Sequence, residues 1–330
     1  MKLDQLTVEQ LFDGIRNKDK VMLSRAVTLL ESRKVEHRVK AEALLKHCLP
    51  FSGNALRVGI TGVPGAGKST FIEALGQKVV EFGRKLAVLA VDPTSQRTRG
   101  SILGDKTRME KLSVNDEVFI RPTPAGETLG GVANSTRETI ILLEAAGYDL
   151  IFIETVGVGQ SEIAVHSMTD IFLLLLISGA GDELQGIKRG IIEMADIIAV
   201  NKADGDNIER SNHTRMDFKR ALHLFAQAES GWTTPVESCS SITGNGLDEI
   251  WNHMLEYTSV TKQSGFFAKK REMQVLKWFD QSLQIELKQF LERETNWQNA
   301  IQEARIAVKE GVSIPSIAIS KVIHSMLSKS

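Results

Sequence analysis

The stretch GVPGAGKST, residues 62–70, decides the fold class. It fits the pattern G-x-x-x-x-G-K-[ST], lies directly after the apolar run RVGIT and precedes the helical pattern STFIEALGQKVVEF. In such a loop the backbone N–H groups turn inward toward anionic oxygens, the lysine adds a positive charge and the serine hydroxyl can bind Mg²⁺. The sequence therefore predicts a strand, a phosphate-binding loop and a helix. The residues of the predicted loop are Gly62, Val63, Pro64, Gly65, Ala66, Gly67, Lys68, Ser69 and Thr70.

Six further short apolar runs alternate with helical stretches: KLAVLAVD, VFIRP, DLIFIET, IFLLLLI, DIIAVN and TPVESCS. Apolar residues at consecutive positions are typical of strands covered on both faces. We therefore predict an α/β fold, a P-loop NTPase with a doubly wound, mostly parallel sheet and ligands at the carboxyl ends of its strands. Residues 51–262 form this domain, residues 1–50 an N-terminal helical extension and residues 263–330 a C-terminal helical arm.

Composition narrows the function classes. Lys plus Arg is 40 and Asp plus Glu is 41 in 330 residues, so the charge of -1 gives no general attraction to nucleic acid or anionic membranes. The run IFLLLLI is far shorter than the about 20 residues that cross a bilayer, and the polar start MKLDQL lacks the apolar core of a signal peptide. Cys48 and Cys239 suggest no disulfide framework. We expect no nucleic-acid or membrane partner, and the cytoplasm as the compartment.

The stretch NKAD, residues 201–204, follows the run DIIAV and indicates the base. The carboxylate of Asp204 can accept both the ring N–H and the exocyclic amine of guanine, whereas adenine presents an acceptor at the ring nitrogen. Lys202 would lie along the base plane, and Asn201 would tie its loop back toward the phosphate loop. The sequence thus predicts GTP and GDP as ligands.

The stretch CSSITGNG places three more residues after a strand: Ser240, Ser241 and Ile242. Their backbone N–H groups would meet the carbonyl oxygen of guanine, or the stretch is an ordinary serine-rich turn. The sequence leaves both interpretations open.

Acidic residues at strand ends indicate a magnesium site. Asp92 ends one predicted strand, Asp105 follows it in a loop, and Glu154 ends the strand DLIFI. Because Mg²⁺ prefers oxygen ligands, these carboxylates and the Ser69 hydroxyl are candidate ligands, with Lys68, Asp92 and Glu154 as candidate catalytic residues. Glu154 and Gly157 match the D-x-x-G pattern of GTPases with Glu in place of Asp, and Gly157 would let this loop move with the γ-phosphate.

The position after this motif holds Val158, where Ras-like proteins carry the glutamine that orients the attacking water. Gln160 lies two residues further on, and the sequence leaves open which residue positions the water. We therefore predict slow GTP hydrolysis by the chain alone, with a partner or second subunit completing the site.

Five segments together resemble the MeaB family of GTPases, which belongs to the SIMIBI class of P-loop proteins and is associated with methylmalonyl-CoA mutase. They are GVPGAGKST, VDPTSQRTRGSILGDKTRM, ETVGVGQSE, GAGDELQGIKRG and NKAD. The resemblance covers nearly the whole chain. It implies a GTP-hydrolysing chaperone that gates cobalamin loading and protects a cobalamin-dependent acyl-CoA mutase, and a homodimer formed through the C-terminal arm.

The resemblance also implies a set of switch residues: Gly157, Gln160, Asp182, Gln185 and Lys188. The last three lie in a loop that resembles the third switch of the family. The chain departs from the family pattern in the first switch. It has DPTSQRTRG where relatives are expected to carry DPSSP. Gln96 thus replaces a proline, and Arg97 and Arg99 add positive charge.

An apolar stripe runs along the C-terminal arm at helical spacing. Its residues are Met273, Leu276, Phe279, Leu283, Leu287 and Phe290. Periodicity predicts an amphipathic helix but does not separate burial within the chain from burial in an oligomer.

Two alternative functions remain: a nucleotide-dependent kinase of an amino-acid transport protein, and a metal-delivery GTPase. The sequence marks no acceptor site for a phosphoryl group. His47 adjoins Cys48, but no further cysteine lies near, whereas soft-metal carriers need Cys or His clusters.

Overall fold

The computed structural model describes residues 3–32, 34–92, 109–124, 129–155, 161–178, 189–223, 229–293 and 295–327. The chain divides into two compact units, Met1–Gln274 and Val275–Ser330. Within the described residues, no helix combines the length and the apolar character that crossing a bilayer requires.

The first unit is built on a seven-stranded sheet in which all the observed strand pairs are parallel. The strands are β1 (Leu56–Gly62), β2 (Leu86–Asp92), β3 (Val118–Pro124), β4 (Leu150–Thr155), β5 (Ile171–Ile177), β6 (Ile197–Asn201) and β7 (Val236–Ser238). Their order is β3-β2-β4-β1-β5-β6-β7. All seven predicted strands are therefore confirmed, and the α/β prediction is correct.

Ten helices connect or flank these strands among the described residues of the first unit. They are α1 (Val8–Arg16), α2 (Lys20–Leu30), α3 (Val35–Cys48), α4 (Lys68–Glu81), α5 (Glu110–Ser113), α6 (Leu129–Ala145), α7 (Ser161–His166), α8 (Arg189–Met194), α9 (Ile208–Leu222) and α10 (Leu247–Gln263). Separate hydrophobic clusters cover the two faces of the sheet, one including α1, α2, α3 and α6 and the other α4 and α10. This two-sided burial explains why the strands are apolar at consecutive positions.

The N-terminal helices begin as their sequence predicts. Thr7 Oγ1 accepts the N–H of Gln10, and Gln10 Oε1 accepts the N–H of Thr7, which forms a reciprocal capping box at the start of α1. Leu11 and Ile15 of this helix are fully buried in the cluster shared with the sheet.

The last three helices are α11 (Phe266–Arg293), α12 (Thr295–Lys309) and α13 (Pro315–Leu327). Helix α11 starts in the first unit, where ionic contacts hold its first turns near the amino ends of the strands. Arg271 bonds both carboxylate oxygens of Asp170 at 2.7 Å and the carbonyl of Ala55 at 2.6 Å. Lys270 reaches the Asp170 carbonyl at 2.6 Å, and Gln274 the Thr169 carbonyl at 2.8 Å. In the second unit, α12 and α13 pack against each other.

Candidate nucleotide-binding site

The candidate site lies at the carboxyl end of the central strand. The chain runs from β1 to β2 and β3 on one side of the sheet, and β5, β6 and β7 lie on the other. The end of β1 is therefore a topological switch point, where parallel α/β sheets bind ligands. The phosphate loop begins there, at Gly62, and the Asn201 loop begins at the end of β6.

Close packing fixes the start of the phosphate loop. A Cβ on Gly62 would stand 2.2 Å from the Leu175 carbonyl oxygen of β5, so only glycine fits. The loop then turns through a hydrogen bond from Ala66 N–H to the Val63 carbonyl at 3.1 Å. Gly67 caps α4 with φ +84°, in the left-handed region that glycine adopts freely. Lys68, Ser69 and Thr70 form the first turn of α4, whose positive end favours an anion.

Lys68 is buried, and its ammonium group faces the start of the loop. Its Nζ donates to the Gly62 carbonyl at 2.9 Å and to the Val63 carbonyl at 3.4 Å. Burial lowers the pKa of Lys68, and the nearby carboxylates of Glu154 and Glu162 oppose that shift. The lysine is thus a buried cation between two acids and the phosphate loop, a position suited to phosphate oxygens.

Two of the predicted metal ligands are in contact. Ser69 Oγ donates to Glu154 Oε1 at 3.1 Å. Strand pairing places Glu154 of β4 beside Ile60 of β1 and Ala90 of β2, one residue before β4 ends. This hydroxyl–carboxylate pair is a hard oxygen donor set that fits Mg²⁺. Asp92 is the last residue of β2, at the same edge of the sheet.

Asn201 joins the base end of the site to the phosphate end. Its Nδ2 donates to the Ala66 carbonyl of the phosphate loop at 2.8 Å. Its Oδ1 accepts the Ser241 hydroxyl at 2.8 Å and the Ser241 N–H at 3.2 Å. Burial raises the pKa of Cys239 to about 12, so its thiol stays protonated and contributes a weak donor to the same oxygen at 3.7 Å. One buried amide therefore connects three loops.

Ser240 orients the carboxylate of Asp204. The Ser240 hydroxyl donates to Asp204 Oδ2 and accepts the N–H groups of Ile242 and Thr243 at 3.2 and 3.1 Å. Since a carboxylate has about four acceptor positions, Asp204 keeps capacity for further donors. The N–H groups of Ser241 and Ile242, for which the sequence leaves open a guanine contact or an ordinary serine-rich turn, donate to the side chains of Asn201 and Ser240.

The remaining predicted residues lie outside the described residues: Asp105, Gly157, Gln160, Asp182, Gln185 and Lys188. Their proposed roles in magnesium binding and switching stay predictions.

The structure adds residues to the site that the sequence did not single out. Glu162, in the first turn of α7, is a buried acid that acts on Lys68, and its presence in the segment ETVGVGQSE was an available signal. Thr155 of β4 bonds Thr61 of β1 at 2.9 Å, just before the phosphate loop. Asn207 Nδ2 donates to the Lys202 carbonyl at 2.7 Å, and no short sequence motif predicts this contact.

A seven-stranded parallel sheet with a phosphate loop after its central strand defines a P-loop NTPase. The model of the family "Methylmalonyl Co-A mutase-associated GTPase MeaB" matches residues 23–296. The chain belongs to this family of GTPases.

Similar proteins agree with this membership. A "Putative GTPase" of Caulobacter vibrioides is 47% identical over 318 residues, covering 96% of this chain and 97% of the relative. The "Methylmalonic aciduria type A homolog, mitochondrial" of Mus musculus is 45% identical over 285 residues, covering 83% of this chain and 69% of the mouse protein. Among solved structures, a "LAO/AO transport system kinase" has a TM-score of 0.78 and 34% identity, covering 98% of both chains.

Proposed function

We propose that this protein is a GTP-hydrolysing chaperone that gates cofactor loading and protects a cobalamin-dependent acyl-CoA mutase of the methylmalonyl-CoA mutase type. The observation that carries the proposal is the family match over residues 23–296, because the family description names association with that mutase. The pocket geometry supports the nucleotide part of the proposal, and the C-terminal arm supports a homodimer.

Guanine recognition is assigned to Asp204. Its carboxylate, held by Ser240, would accept the ring N–H and the exocyclic amine of guanine, and the stem of Lys202 would lie along the base. We assign Ser241 to the support of Asn201, since both its N–H and its hydroxyl bond that side chain. Asn201 then keeps the base end and the phosphate end at a constant separation.

Phosphate binding is assigned to the loop Gly62–Thr70, with Lys68 paired to the outer phosphates. Ser69 and Glu154 would hold Mg²⁺, together with Asp92 and Asp105. When bound there, the ion supplies positive charge to the outer phosphate oxygens. Lys68 changes partners from the Gly62 carbonyl to phosphate oxygens, and the carboxylates of Glu154 and Glu162 oppose the lowering of its pKa by burial.

Hydrolysis by the chain alone is proposed to be slow, because Val158 stands where Ras-like proteins carry the water-orienting glutamine. A single-turnover GTP hydrolysis assay with and without the mutase tests this. We expect the mutase to raise the rate. Rapid hydrolysis by the isolated chain would contradict the proposed need for a partner.

A homodimer through the arm is proposed from the exposed stripe on α11. Leu276, Phe279, Leu283, Leu287 and Phe290 are each between 46% and 63% exposed. An apolar groove of about 500 Å³ lies in the same unit, between α12 and α13 and the end of α11. Apolar surface of this extent is typical of protein–protein contacts. Leu283→Glu should shift the sedimentation of the protein toward the monomer, whereas the exposed neighbour Gln284→Glu should not.

The partner assignment is tested by co-purification. The tagged chain is mixed with methylmalonyl-CoA mutase in GDP or in a non-hydrolysable GTP analogue, and a cobalamin-independent acyl-CoA enzyme is the control. We expect mutase retention that differs between the two nucleotides, with no retention of the control enzyme. Equal, nucleotide-independent recovery of both enzymes would refute the proposal.

A second candidate function is that of a kinase, because the solved relative with 34% identity is described as a transport system kinase. GTP labelled at the γ-phosphate separates the two functions. A GTPase releases the label as inorganic phosphate, whereas a kinase transfers it to an amino-acid-binding transport protein added to the reaction.

A further inference from the structure

We propose that Asn207 is a positioning residue for nucleotide binding, which holds Lys202 in a left-handed backbone conformation beside the phosphate loop. The inference rests on the proposed role of the NKAD loop in base recognition. It goes beyond that role because Asn207 lies outside the motif and bonds the backbone carbonyl of Lys202.

The starting point is the backbone of Lys202. Within the described part of the chain, two residues other than glycine have positive φ, Lys18 at 62° and Lys202 at 61°. Lys18 follows the C-cap of α1, a common place for a left-handed residue. Lys202 instead follows a strand, where no helix end explains the conformation. A lysine in the left-handed region is strained, so contacts must hold it there.

Asn207 supplies that contact. Its Nδ2 donates to the Lys202 carbonyl at 2.7 Å, and its Oδ1 accepts the Ser178 hydroxyl at 2.6 Å. A backbone carbonyl can only accept, so the amide orientation follows from its partners. The Asn207 N–H also bonds the Asp204 carbonyl at 3.0 Å. Asn207 therefore links the loop after β6 to Ser178, which follows β5.

The side chain of Asn207 does not cap the helix that it precedes. Asn207 is the N-cap residue of α9, a position where asparagine normally accepts an N–H from the first helical turn. Here it makes no such capping bond. The side chain of Asn207 therefore bonds Ser178 and the loop after β6 and makes no capping bond to its own helix.

The left-handed turn directs Lys202 toward the phosphate loop. The Lys202 Cε lies 3.9 Å from the position of a Cβ built on Gly67. The stem of the lysine thus runs beside the N-cap of α4, where a bound nucleotide connects base to phosphates. Without the Asn207 bond, the Lys202 backbone would relax and move this stem.

The test is Asn207→Asp. An aspartate keeps an acceptor for Ser178 but places an oxygen against the Lys202 carbonyl. It is as good an N-cap as asparagine, and its charge is favourable at a helix N-terminus, so we expect these gains to offset the lost Lys202 bond in the stability of the nucleotide-free protein, whereas a merely structural role predicts a lower stability. We expect the Kd for GDP to rise about tenfold, as for the loss of one good hydrogen bond, with no decrease in the urea unfolding midpoint of the nucleotide-free protein. The Kd of the variant for inosine diphosphate, which lacks the exocyclic amine, should rise by the same factor.

The matched control is Asn212→Asp, the same change at an exposed position of α9, which should bind GDP like the wild type. The inference is overturned if Asn207→Asp binds GDP like this control, or if its weaker binding accompanies a lower unfolding midpoint. Asp204→Asn is measured in parallel. If it weakens GDP while Asn207→Asp does not, only the Asn207 inference fails; if Asp204→Asn has no effect, the proposed guanine recognition fails.

Discussion

Replacing Asp204 with asparagine should weaken guanine binding, because Ser240 dictates how the new amide must point. The Ser240 hydroxyl oxygen already accepts two N–H groups, from Ile242 and Thr243, so its hydrogen remains to be donated to residue 204. In Asp204→Asn the amide oxygen must therefore face Ser240, which turns the NH₂ group toward the base. Guanine then meets a donor where it needs an acceptor, whereas xanthine, with a carbonyl at C2, offers the acceptor that this amide needs.

The magnitude follows from the two bonds involved. Guanine loses one hydrogen bond to a charged acceptor, worth about 1.5–3 kcal/mol, and one of its donors is left unsatisfied, at about 1–3 kcal/mol. Taking values near the lower ends, we expect a loss of about 3 kcal/mol, which is about 100-fold in Kd for GDP. Xanthosine diphosphate should bind the variant more tightly than it binds the wild type.

The assay is calorimetric titration of GDP, xanthosine diphosphate and ADP into wild type and variant. Asp206→Asn is the matched control, because Asp206 is exposed, lies in the same loop and undergoes the same change of charge. The control should retain the GDP affinity of the wild type. Guanine recognition by Asp204 is refuted if Asp204→Asn binds GDP within about threefold of this control, or if the wild type binds ADP as tightly as GDP.

Two further predictions concern stability. Arg271→Ala leaves the carboxylate of Asp170, which is only 1% exposed, without its cation. The free energy of unfolding in urea should therefore fall by about 3 kcal/mol. A loss below about 1 kcal/mol would contradict the ionic anchoring of α11. Burial raises the pKa of Glu138 from 4.5 to about 7, with Arg38 opposing and Glu42 adding to the shift. The unfolded carboxyl ionises first as pH rises, so wild-type stability should fall between about pH 4.5 and 7 by up to about 3 kcal/mol. The stability of Glu138→Gln should not fall over this pH range. If the free energies of unfolding of variant and wild type differ by a constant amount from pH 5 to pH 8, the raised pKa of Glu138 is contradicted.

The elements of the fold were predictable because their signals are local. A run such as IFLLLLI has no polar face, so only a strand covered on both sides accommodates it, and β5 spans those seven residues. Thr7 and Gln10 are three residues apart, and their capping box forms between neighbours in the chain. The phosphate loop and its helix are contiguous for the same reason.

The contacts between loops were not predictable. Ser178 and Asn207 are 29 residues apart in the chain, and their hydrogen bond can be predicted only when the register of β5 and β6 is known. The sequence left two interpretations of the serine turn open, because it does not show that side-chain hydroxyls and amides compete for the N–H groups of this turn. Glu162 stands in the quoted segment ETVGVGQSE, but the sequence there does not show that its side chain lies near Lys68.

Because the side chain of Asn201 fastens the phosphate loop, the NKAD loop and the serine turn together, the pocket does not consist of separable halves. In a thermodynamic cycle, substitutions at Gly67 and at Asp204 should show a coupling energy although neither residue touches the other directly. Replacing the NKAD loop with a loop from another protein, in order to change the base preference, would therefore also disturb triphosphate binding. The exception is a replacement that keeps the Asn201 amide together with its partners in the phosphate loop and the serine turn.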